Sequence, residues 1–226
     1  MEGDPIVNIG IIGAGNVGTG LAKHLIPNGH AVMLSFSLDM DKLNATAAEL
    51  GARVGTVAEA VQFADMVVLA TPWTFTSDAL GQTGSVQGKK IMWDCTNALK
   101  PDLSGLAIGT TTSGAEEIAK LAPWATVVKA IPPFAQMLHA PSMLIGEHRP
   151  NVFVCSDDVD ARAVIARLVD EIGAQPVDAG PLALARYAEP AAMLLVQLAY
   201  QQGFGARIGL SLLHEPRRSA SEGSRS

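Results

Sequence analysis

Short apolar runs alternate along the chain with segments in which apolar residues recur at helical spacing. The first run, residues 6–12 (IVNIGII), is rich in β-branched residues and predicts a buried strand. Residues 17–26 carry apolar positions at helical spacing and end near Pro27 and Gly29, which predicts a helix. The alternation continues, with strands predicted over residues 31–36, 53–54, 66–70, 90–94 and 127–131 and helices over 40–50 and 57–63.

Alternating strands and helices predict an α/β fold, because right-handed crossovers then build a parallel sheet with helices on both faces. We therefore predict a Rossmann-type doubly wound parallel sheet over residues 1–145.

The regular alternation of short strands and helices changes in the last third of the chain. Residues 187–213 are mostly apolar at helical spacing, interrupted near Gly203 and Gly205, and are too apolar for a solvated helix. We expect this helix to pack on the domain or on a second subunit. We assign residues 146–213 to a small C-terminal α/β lobe ending in that helix, and residues 214–226 to a disordered tail. The lobe's other predicted elements are strands over 152–155 and 176–179 and a helix over 159–172.

Composition and charge exclude several classes of protein. Apolar residues make up 48% of the 226 positions and charged residues 17%, which argues against a disordered chain. The net charge of −6 and the lack of a basic run in the body argue against nucleic acid or an anionic membrane surface as a partner. Cys95 and Cys155 lie in no CxxC or Cys/His cluster, so no metal site is predicted.

The apolar stretches and the start of the chain predict a cytoplasmic location. Residues 1–5 lack the basic region that opens a signal peptide. The most apolar late stretch, residues 191–199, is too short to span a bilayer. We therefore expect a cytoplasmic protein with no membrane partner.

A glycine-rich motif, GAGNVG at residues 13–18, directly follows the first predicted strand and opens the first predicted helix. This is the context in which GxGxxG binds a dinucleotide. Gly13 permits a tight turn, Gly15 lets a pyrophosphate approach the backbone, and Gly18 lets the helix pack closely on the strand. Free N–H groups and the helix dipole then favour the phosphates.

The end of the second strand bears on the choice between NAD and NADP. NAD enzymes usually place Asp or Glu there, whereas this chain has no acid before Asp39. The hydroxyls of Ser35 and Ser37, on either side of Phe36, can donate to a 2′-phosphate, but no Arg accompanies them. We expect NADP(H), with NAD possible; Asp39 is alternatively the N-cap of the next helix.

Two loops lie beyond the carboxyl ends of predicted strands, where open parallel sheets bind their ligands. Thr71, Pro72 and Trp73 follow the fourth strand, and Asn97 follows the fifth. We take all four as cofactor-binding candidates, although Trp73 is alternatively an aromatic residue that packs at the surface.

These residues resemble the family of NADP-dependent deazaflavin (coenzyme F420) reductases, with the related bacterial dinucleotide-binding oxidoreductases and the cytoplasmic domain of STEAP-type metalloreductases. The resemblance covers nearly the whole chain apart from the tail. Its more specific segments are DAGPL at residues 178–182 and AEP at 188–190. The others are GAGNVG at 13–18, TPW at 71–73, VVKA at 127–130, VFVC at 152–155 with Asp157 and Asp158, Arg186, and residues 203–213.

The resemblance implies direct hydride transfer between the nicotinamide of NADP(H) and a deazaflavin (coenzyme F420) or flavin, in a homodimer whose C-terminal lobes complete the acceptor pocket. It implies that the segment after Ala130 approaches both rings. Pro132, Pro133 and Phe134 would line the slot for hydride transfer, which mainly needs proximity and orientation. The family's deazaflavin reductases carry His where this chain has Pro132, so the acceptor stays open.

The predicted cofactor site combines the motifs with backbone amides near Ala135 and Gln136, which are expected to hold the nicotinamide carboxamide. The full set of predicted cofactor-binding residues is Gly13, Ala14, Gly15, Asn16, Val17, Gly18, Ser35, Phe36, Ser37, Thr71, Pro72, Trp73, Asn97, Ala130, Ala135 and Gln136.

Two other functions stay open. The first is reduction of a small imine or carbonyl, resembling pyrroline-carboxylate or imine reductases. Those enzymes usually carry a long helical C-terminal domain, and only about 60 residues follow residue 150 before the tail. The second is a non-catalytic dinucleotide sensor, which the altered residues Pro132 and Leu38 favour.

Several polar residues are interpreted as structural. Arg186 and Glu189, three residues apart on a predicted helix, are expected to pair with each other. Cys95 is interpreted as a small buried thiol, His139 as a surface residue, and Lys129 as an ordinary lysine at a strand end.

Overall fold

The computed structural model of the chain describes residues 6–215. Eight strands form one sheet: β1 (Asn8–Ile12), β2 (Ala31–Ser35), β3 (Arg53–Val54), β4 (Met66–Leu69), β5 (Lys90–Asp94), β6 (Ala125–Lys129), β7 (Asn151–Cys155) and β8 (Gln175–Gly180). The helices are α1 (Asn16–Leu25), α2 (Met40–Leu50), α3 (Val57–Phe63), α4 (Trp73–Gly81), α5 (Gly114–Leu121), α6 (Ala135–Leu138), α7 (Val159–Glu171) and α8 (Ala185–Tyr200).

The strand order is β3-β2-β1-β4-β5-β6-β7-β8, and every pairing is parallel except that of β6 with β7. The chain therefore winds outwards from β1 in one direction and from β4 in the other. This confirms the predicted Rossmann-type α/β sheet, and its switch point between β1 and β4 is where such folds bind ligands.

Alternation along the central strands produces two cores, one on each face of the sheet. In β4, Met66 and Val68 point into a core that contains Leu21 of α1 and Ile165 of α7. Val67 and Leu69 point into the opposite core, which α3, α4 and α5 cover. Both faces of the sheet are thus buried, as the continuous apolar runs predicted.

The structure corrects the predicted elements in two places. Helices α4, α5 and α6 lie in segments where no helix was predicted. The helix predicted over residues 187–213 ends at Tyr200, because Gly203 and Gly205 adopt positive φ angles of 75° and 74°. The chain beyond them runs back to β7, where the carbonyl of Leu210 accepts a hydrogen bond from the amide of Asn151.

The C-terminal part joins the same sheet as the rest of the chain. Strands β7 and β8 pair in parallel around α7 and extend the sheet from β6. The division of the chain near residue 145 stays a prediction. Residues 216–226 of the predicted tail lie outside the described residues. Within residues 6–215, no helix has the length and apolar character needed to cross a membrane.

Candidate functional site

The three motif glycines occupy three different environments where β1 leads into α1, Gly13 and Gly15 in the loop and Gly18 in the first turn of the helix. Gly13 has a φ of +108°, and a Cβ there would lie 2.6 Å from the carbonyl oxygen of Ala70. A Cβ on Gly18 would lie 2.1 Å from the carbonyl oxygen of Gly13. A Cβ on Gly15 would meet no protein atom within 4 Å. The loop is therefore closed around Gly13 and Gly18 and open at Gly15, on the side where a ligand would approach.

Helix α1 begins beside this opening with unpaired backbone donors. Its N-cap is Gly15, which supplies no capping side chain, and its first turn carries no acidic residue. The first N–H groups of a helix have no partner within the helix, so they are available to an anion. A dinucleotide pyrophosphate fits this place.

A cavity of about 500 Å³ extends from the opening across the carboxyl ends of the strands. It brings together many of the predicted site residues. Those that line it are Gly15, Asn16, Val17, Thr71, Pro72, Asn97, Pro132, Pro133, Phe134, Ala135 and Gln136. Those that do not line it are Gly13, Ala14, Gly18, Ser35, Phe36, Ser37, Trp73 and Ala130.

Two walls of the cavity come from the C-terminal part, where the resemblance placed the acceptor pocket without naming its residues. Helix α8 contributes one face, on which residues recur at helical spacing: Ala188, Ala191, Ala192 and Leu195. The segment after α8 contributes a second wall, residues 208–210. The mostly small residues on α8 signal a close approach, but the sequence alone does not say to what.

Two aromatic side chains that line the cavity contact each other. Phe134 and Tyr200 meet edge to face, with their ring centroids 5.9 Å apart. The side-chain amide of Gln136 donates to the phenolic oxygen of Tyr200 over 3.4 Å. Tyr200 lines the cavity together with both residues.

The end of β2 lies next to the glycine loop. The amides of Gly13 and Ala14 donate to the carbonyls of Ser35 and Phe36. Ser35 is fully buried and its hydroxyl donates to the carbonyl of Ile11, so this hydroxyl is not presented to a ligand. The Ser37 hydroxyl donates to the Asp39 backbone carbonyl.

Trp73 and Ala130, two further residues predicted to bind the cofactor, have structural contacts, and the interpretation of Asp39 as a helix N-cap is confirmed. Asp39 is the N-cap of α2 and accepts a hydrogen bond from the amide of Lys42. Trp73 begins α4 and packs against the core beneath it. Ala130 is fully buried, and its carbonyl accepts a hydrogen bond from the Trp93 indole.

A buried ionic cluster of Asp94, Lys129 and Glu189 lies behind residues that line the cavity, next in sequence to Cys95 and Ala188. The Lys129 Nζ is 2.6 Å from Asp94 Oδ2 and 3.2 Å from Glu189 Oε1, and all three side chains are at most 2% exposed. Burial lowers the pKa of Lys129, but the two carboxylates outweigh it and hold the pKa above its ordinary value. Removing one partner of such a cluster typically costs about 3–5 kcal/mol.

The predicted pairing of Arg186 with Glu189 is wrong. Glu189 turns inward, where its carboxylate accepts hydrogen bonds from the amides of Gly114 and Ala115 at the start of α5. Arg186 instead makes a two-pronged ion pair with Glu116, at 2.6 and 2.8 Å. Residues on one helix face are neighbours by spacing alone, but both side chains found stronger partners on α5.

Cys95 lines the cavity as a buried thiol. Burial raises its pKa well above the ordinary value, the charge of Asp94 adds to this, and Lys129 opposes it. A thiol in this state is protonated at neutral pH and is a poor nucleophile. The interpretation of Cys95 as a small apolar residue agrees with this environment.

The chain is similar to known NADP-dependent oxidoreductases. Residues 8–98 match a family described as NADP oxidoreductase, coenzyme F420-dependent. The metalloreductase STEAP3 of Rattus norvegicus is 27% identical over 183 residues, which are 80% of this chain and 35% of that protein. A structure from Arthrobacter sp. FB24, described as a candidate F420-dependent NADP reductase, is 26% identical with a TM-score of 0.81, over 92% of this chain and 100% of that one.

A more distant structural likeness shows the fold alone. An imine reductase from Pseudomonas sp. is 16% identical with a TM-score of 0.64, over 89% of this chain and 64% of that one. The chain spans about a third of the length of its curated relative from Rattus norvegicus. The comparisons confirm the resemblance to the F420-dependent NADP oxidoreductases that the sequence motifs predicted.

Proposed function

We propose that this chain, an NADP-dependent oxidoreductase by family resemblance, transfers a hydride directly between the nicotinamide of NADP(H) and a deazaflavin (coenzyme F420) or flavin ring. One observation carries the proposal: a single cavity joins the open side of the glycine loop to an apolar slot. Gly15 stands at the nucleotide end, and Pro132 and Phe134 stand in the slot.

The residues of the chain fit a bound dinucleotide. The open position at Gly15 and the uncapped start of α1 suit the pyrophosphate. We propose that Thr71, Asn97 and the amides near Gln136 hold the nicotinamide end. When bound, NADPH supplies the hydride; the protein's part is to hold the two rings in contact and to exclude water from the slot.

The slot suits chemistry between two rings. Its lining includes the prolines and the small residues of α8, such as Ala191 and Ala192, which leave room for a flat ring. Of the described residues that line the cavity, Cys95 and Tyr200 alone carry ionisable side chains. Hydride transfer between stacked rings mainly needs proximity and orientation, which such walls provide.

The test is an anaerobic absorbance assay with NADPH and NADH, each offered to coenzyme F420, FAD, FMN and riboflavin. NADPH-dependent bleaching of one acceptor is the expected result. Tight binding of NADPH without bleaching of any acceptor would contradict the proposal and favour the dinucleotide sensor.

A second candidate is the reduction of a small imine or carbonyl, because Tyr200 places a phenol in the cavity. Such a reduction needs a proton donor, which a phenol at the site can be. If this candidate is right, NADPH is oxidised by small cyclic imines, and Tyr200→Phe lowers kcat at least tenfold while leaving the dissociation constant of NADPH within twofold. Ring-to-ring transfer predicts that Tyr200→Phe keeps more than a third of the flavin-reducing kcat.

We also propose that the chain forms a homodimer through the outer face of α8. Tyr187 and Leu194, seven residues apart on that helix, are 70% and 56% exposed. Light scattering on the purified chain tests this: a mass near 47 kDa, twice the 23.5 kDa of one chain, is expected. A Leu194→Glu variant that stays dimeric would contradict this interface.

A further inference from the structure

The buried ionic cluster lies between two walls of the cavity. Lys129 Nζ donates to the carbonyl of Thr96 over 2.8 Å, and Thr96 belongs to the loop after β5 that lines the cavity. The same ammonium group lies 3.2 Å from Glu189 on α8, next to the cavity residue Ala188. One cation therefore connects the loop after β5 with α8.

The cluster also fixes the shape of each wall. Asp94 Oδ1 accepts hydrogen bonds from the Thr96 amide at 2.9 Å and from the Thr96 hydroxyl at 2.7 Å, which orders the loop. The Glu189 carboxylate accepts from the amides of Gly114 and Ala115, at 2.8 and 3.1 Å, which ties α8 to the start of α5. The carboxylate of Glu189 thus ties α8 to α5 directly and to the loop after β5 through Lys129.

An ion pair between α8 and α5 serves as a natural comparison. Arg186 on α8 pairs with Glu116 on α5, but its side chain is 36% exposed and neither residue lines the cavity. Loss of that pair loosens α8 from α5 at the surface. It leaves the connection through Lys129 to Thr96 intact.

We propose that Glu189 is a positioning residue that acts through Lys129: it sets the separation between the Thr96–Asn97 loop and α8, the two walls between which the acceptor ring stacks. The proposal rests on the hydride transfer proposed above, in which a small misplacement of the rings has a large effect on rate. It predicts a larger effect on turnover of the acceptor than on binding of NADPH. The described contacts of Glu189 reach Asn97 at the proposed nicotinamide end but include none with the glycine loop, which is proposed to hold the pyrophosphate.

The experiment compares Glu189→Gln with Arg186→Met in the full chain. Glu189→Gln keeps the size of the side chain and removes the charge that faces Lys129. We expect kcat with the acceptor to fall at least fivefold, and the dissociation constant of NADPH, measured by fluorescence quenching, to change less than twofold. Arg186→Met is expected to keep kcat within twofold. Glu189→Asp, which restores the charge, is expected to recover part of the lost kcat.

Amide hydrogen exchange provides a readout that does not depend on turnover. Exchange at Thr96 is expected to accelerate at least tenfold in Glu189→Gln and to stay unchanged in Arg186→Met. Unchanged exchange at Thr96 in Glu189→Gln would overturn the proposal. An equal fall of kcat in the two variants would also overturn it, since general docking of α8 would then explain the effect. If the wild-type chain reduces no flavin or deazaflavin, the proposed function is wrong. The exchange experiment still decides whether Glu189 orders Thr96.

Discussion

Gly15, the N-cap of α1, and Gly18, in the first turn of that helix, lie three residues apart and yet tolerate a side chain very differently. Gly15 has a φ of −78°, which any residue adopts, and a Cβ there contacts no protein atom within 4 Å. A Cβ on Gly18 would lie 2.1 Å from the Gly13 carbonyl oxygen. The absence of a side chain at Gly15 therefore matters to a ligand, and at Gly18 it matters to the fold.

Gly15→Val is expected to fold normally and to lose dinucleotide binding. Its side chain would fill the space through which the pyrophosphate reaches α1, so the dissociation constant of NADPH should rise at least 100-fold. The thermal midpoint should change by less than about 3 °C, whereas Gly18→Ala should lower it strongly. Calorimetric titration and thermal denaturation check both. Unchanged NADPH affinity in folded Gly15→Val would show that the nucleotide does not bind at this loop.

Selection of NADP is expected to improve with Ser37→Arg. The Ser37 side chain is only partly buried after β2, and a guanidinium there can bind a 2′-phosphate with two hydrogen bonds. The ratio of kcat/KM for NADPH to that for NADH should rise about tenfold. Ser37→Met, of similar length without a charge, is the control; an equal rise in it, or no rise with Arg, would show that position 37 lies away from the ribose.

At the residue scale, roles within a local motif were predictable from the sequence, and contacts between distant residues were not. The roles of the three glycines followed from GAGNVG because the motif is local, and their steric environments agree with those roles. The burial of Lys129 and the inward turn of Glu189 were missed, since their partners lie far along the chain. Glu189 binds Gly114, 75 residues away. Such a contact leaves no periodicity to detect.

At the scale of elements, helix length did not decide which helices were predictable, since α3 with seven residues was predicted and α4 with nine was not. The bounds of α2 and α3 match the prediction, and both have clear N-caps, Asp39 and Thr56. Helices α4 and α6 have no side-chain cap, and α6 has four residues, so their sequences lack a start signal. The predicted length of α8 was wrong because the helix ends before Gly203 and Gly205, and residues 208–210 beyond them line the cavity without helical structure.

That segment, residues 208–210, offers an element-scale prediction. A Cβ on Gly209 would lie 2.8 Å from the Cβ of Pro150, whose ring cannot yield easily. Gly209→Val should therefore push the segment from the cavity wall and raise KM for the acceptor about fivefold or more. The dissociation constant of NADPH should stay within twofold.

Ser211→Val is the matched control, because Ser211 is exposed and does not line the cavity. Steady-state kinetics with the acceptor varied at saturating NADPH separates the two variants. If both raise KM equally, the effect comes from the C-terminal segment in general and not from the cavity wall.

At the scale of the whole molecule, the order of the strands brings the proposed nucleotide site and the proposed acceptor slot together. The switch point between β1 and β4 lies at the glycine loop, and β7 and β8 extend the sheet so that α8 returns across the strand ends. Strand and helix alternation predicted the first of these. It did not predict the second, because the single antiparallel pairing of β6 with β7 depends on contacts between distant segments.

Buried thiols and the buried ammonium make the stability of the whole molecule sensitive to alkali. Burial raises the pKa of Cys155 from 9.0 to about 11 and raises that of Cys95 well above 9.0. The carboxylates of Asp94 and Glu189 outweigh burial and raise the pKa of Lys129. Each raised pKa means that the folded state holds its proton more tightly than the unfolded state. The stability from these groups is therefore complete below pH 9 and is lost as pH rises through the folded pKa values.

The free energy of unfolding should therefore fall between pH 8 and pH 11, and Cys155→Ala should reduce that fall by about 2 kcal/mol, since a shift of one pKa unit corresponds to about 1.4 kcal/mol. The variant is less stable at pH 8, because a buried group is removed, but its curve descends less steeply. Urea denaturation at each pH measures both curves. Parallel curves for the wild type and the variant would mean that the Cys155 thiol ionises equally easily in the folded and unfolded chains, and that Cys95 and Lys129 carry the alkaline loss.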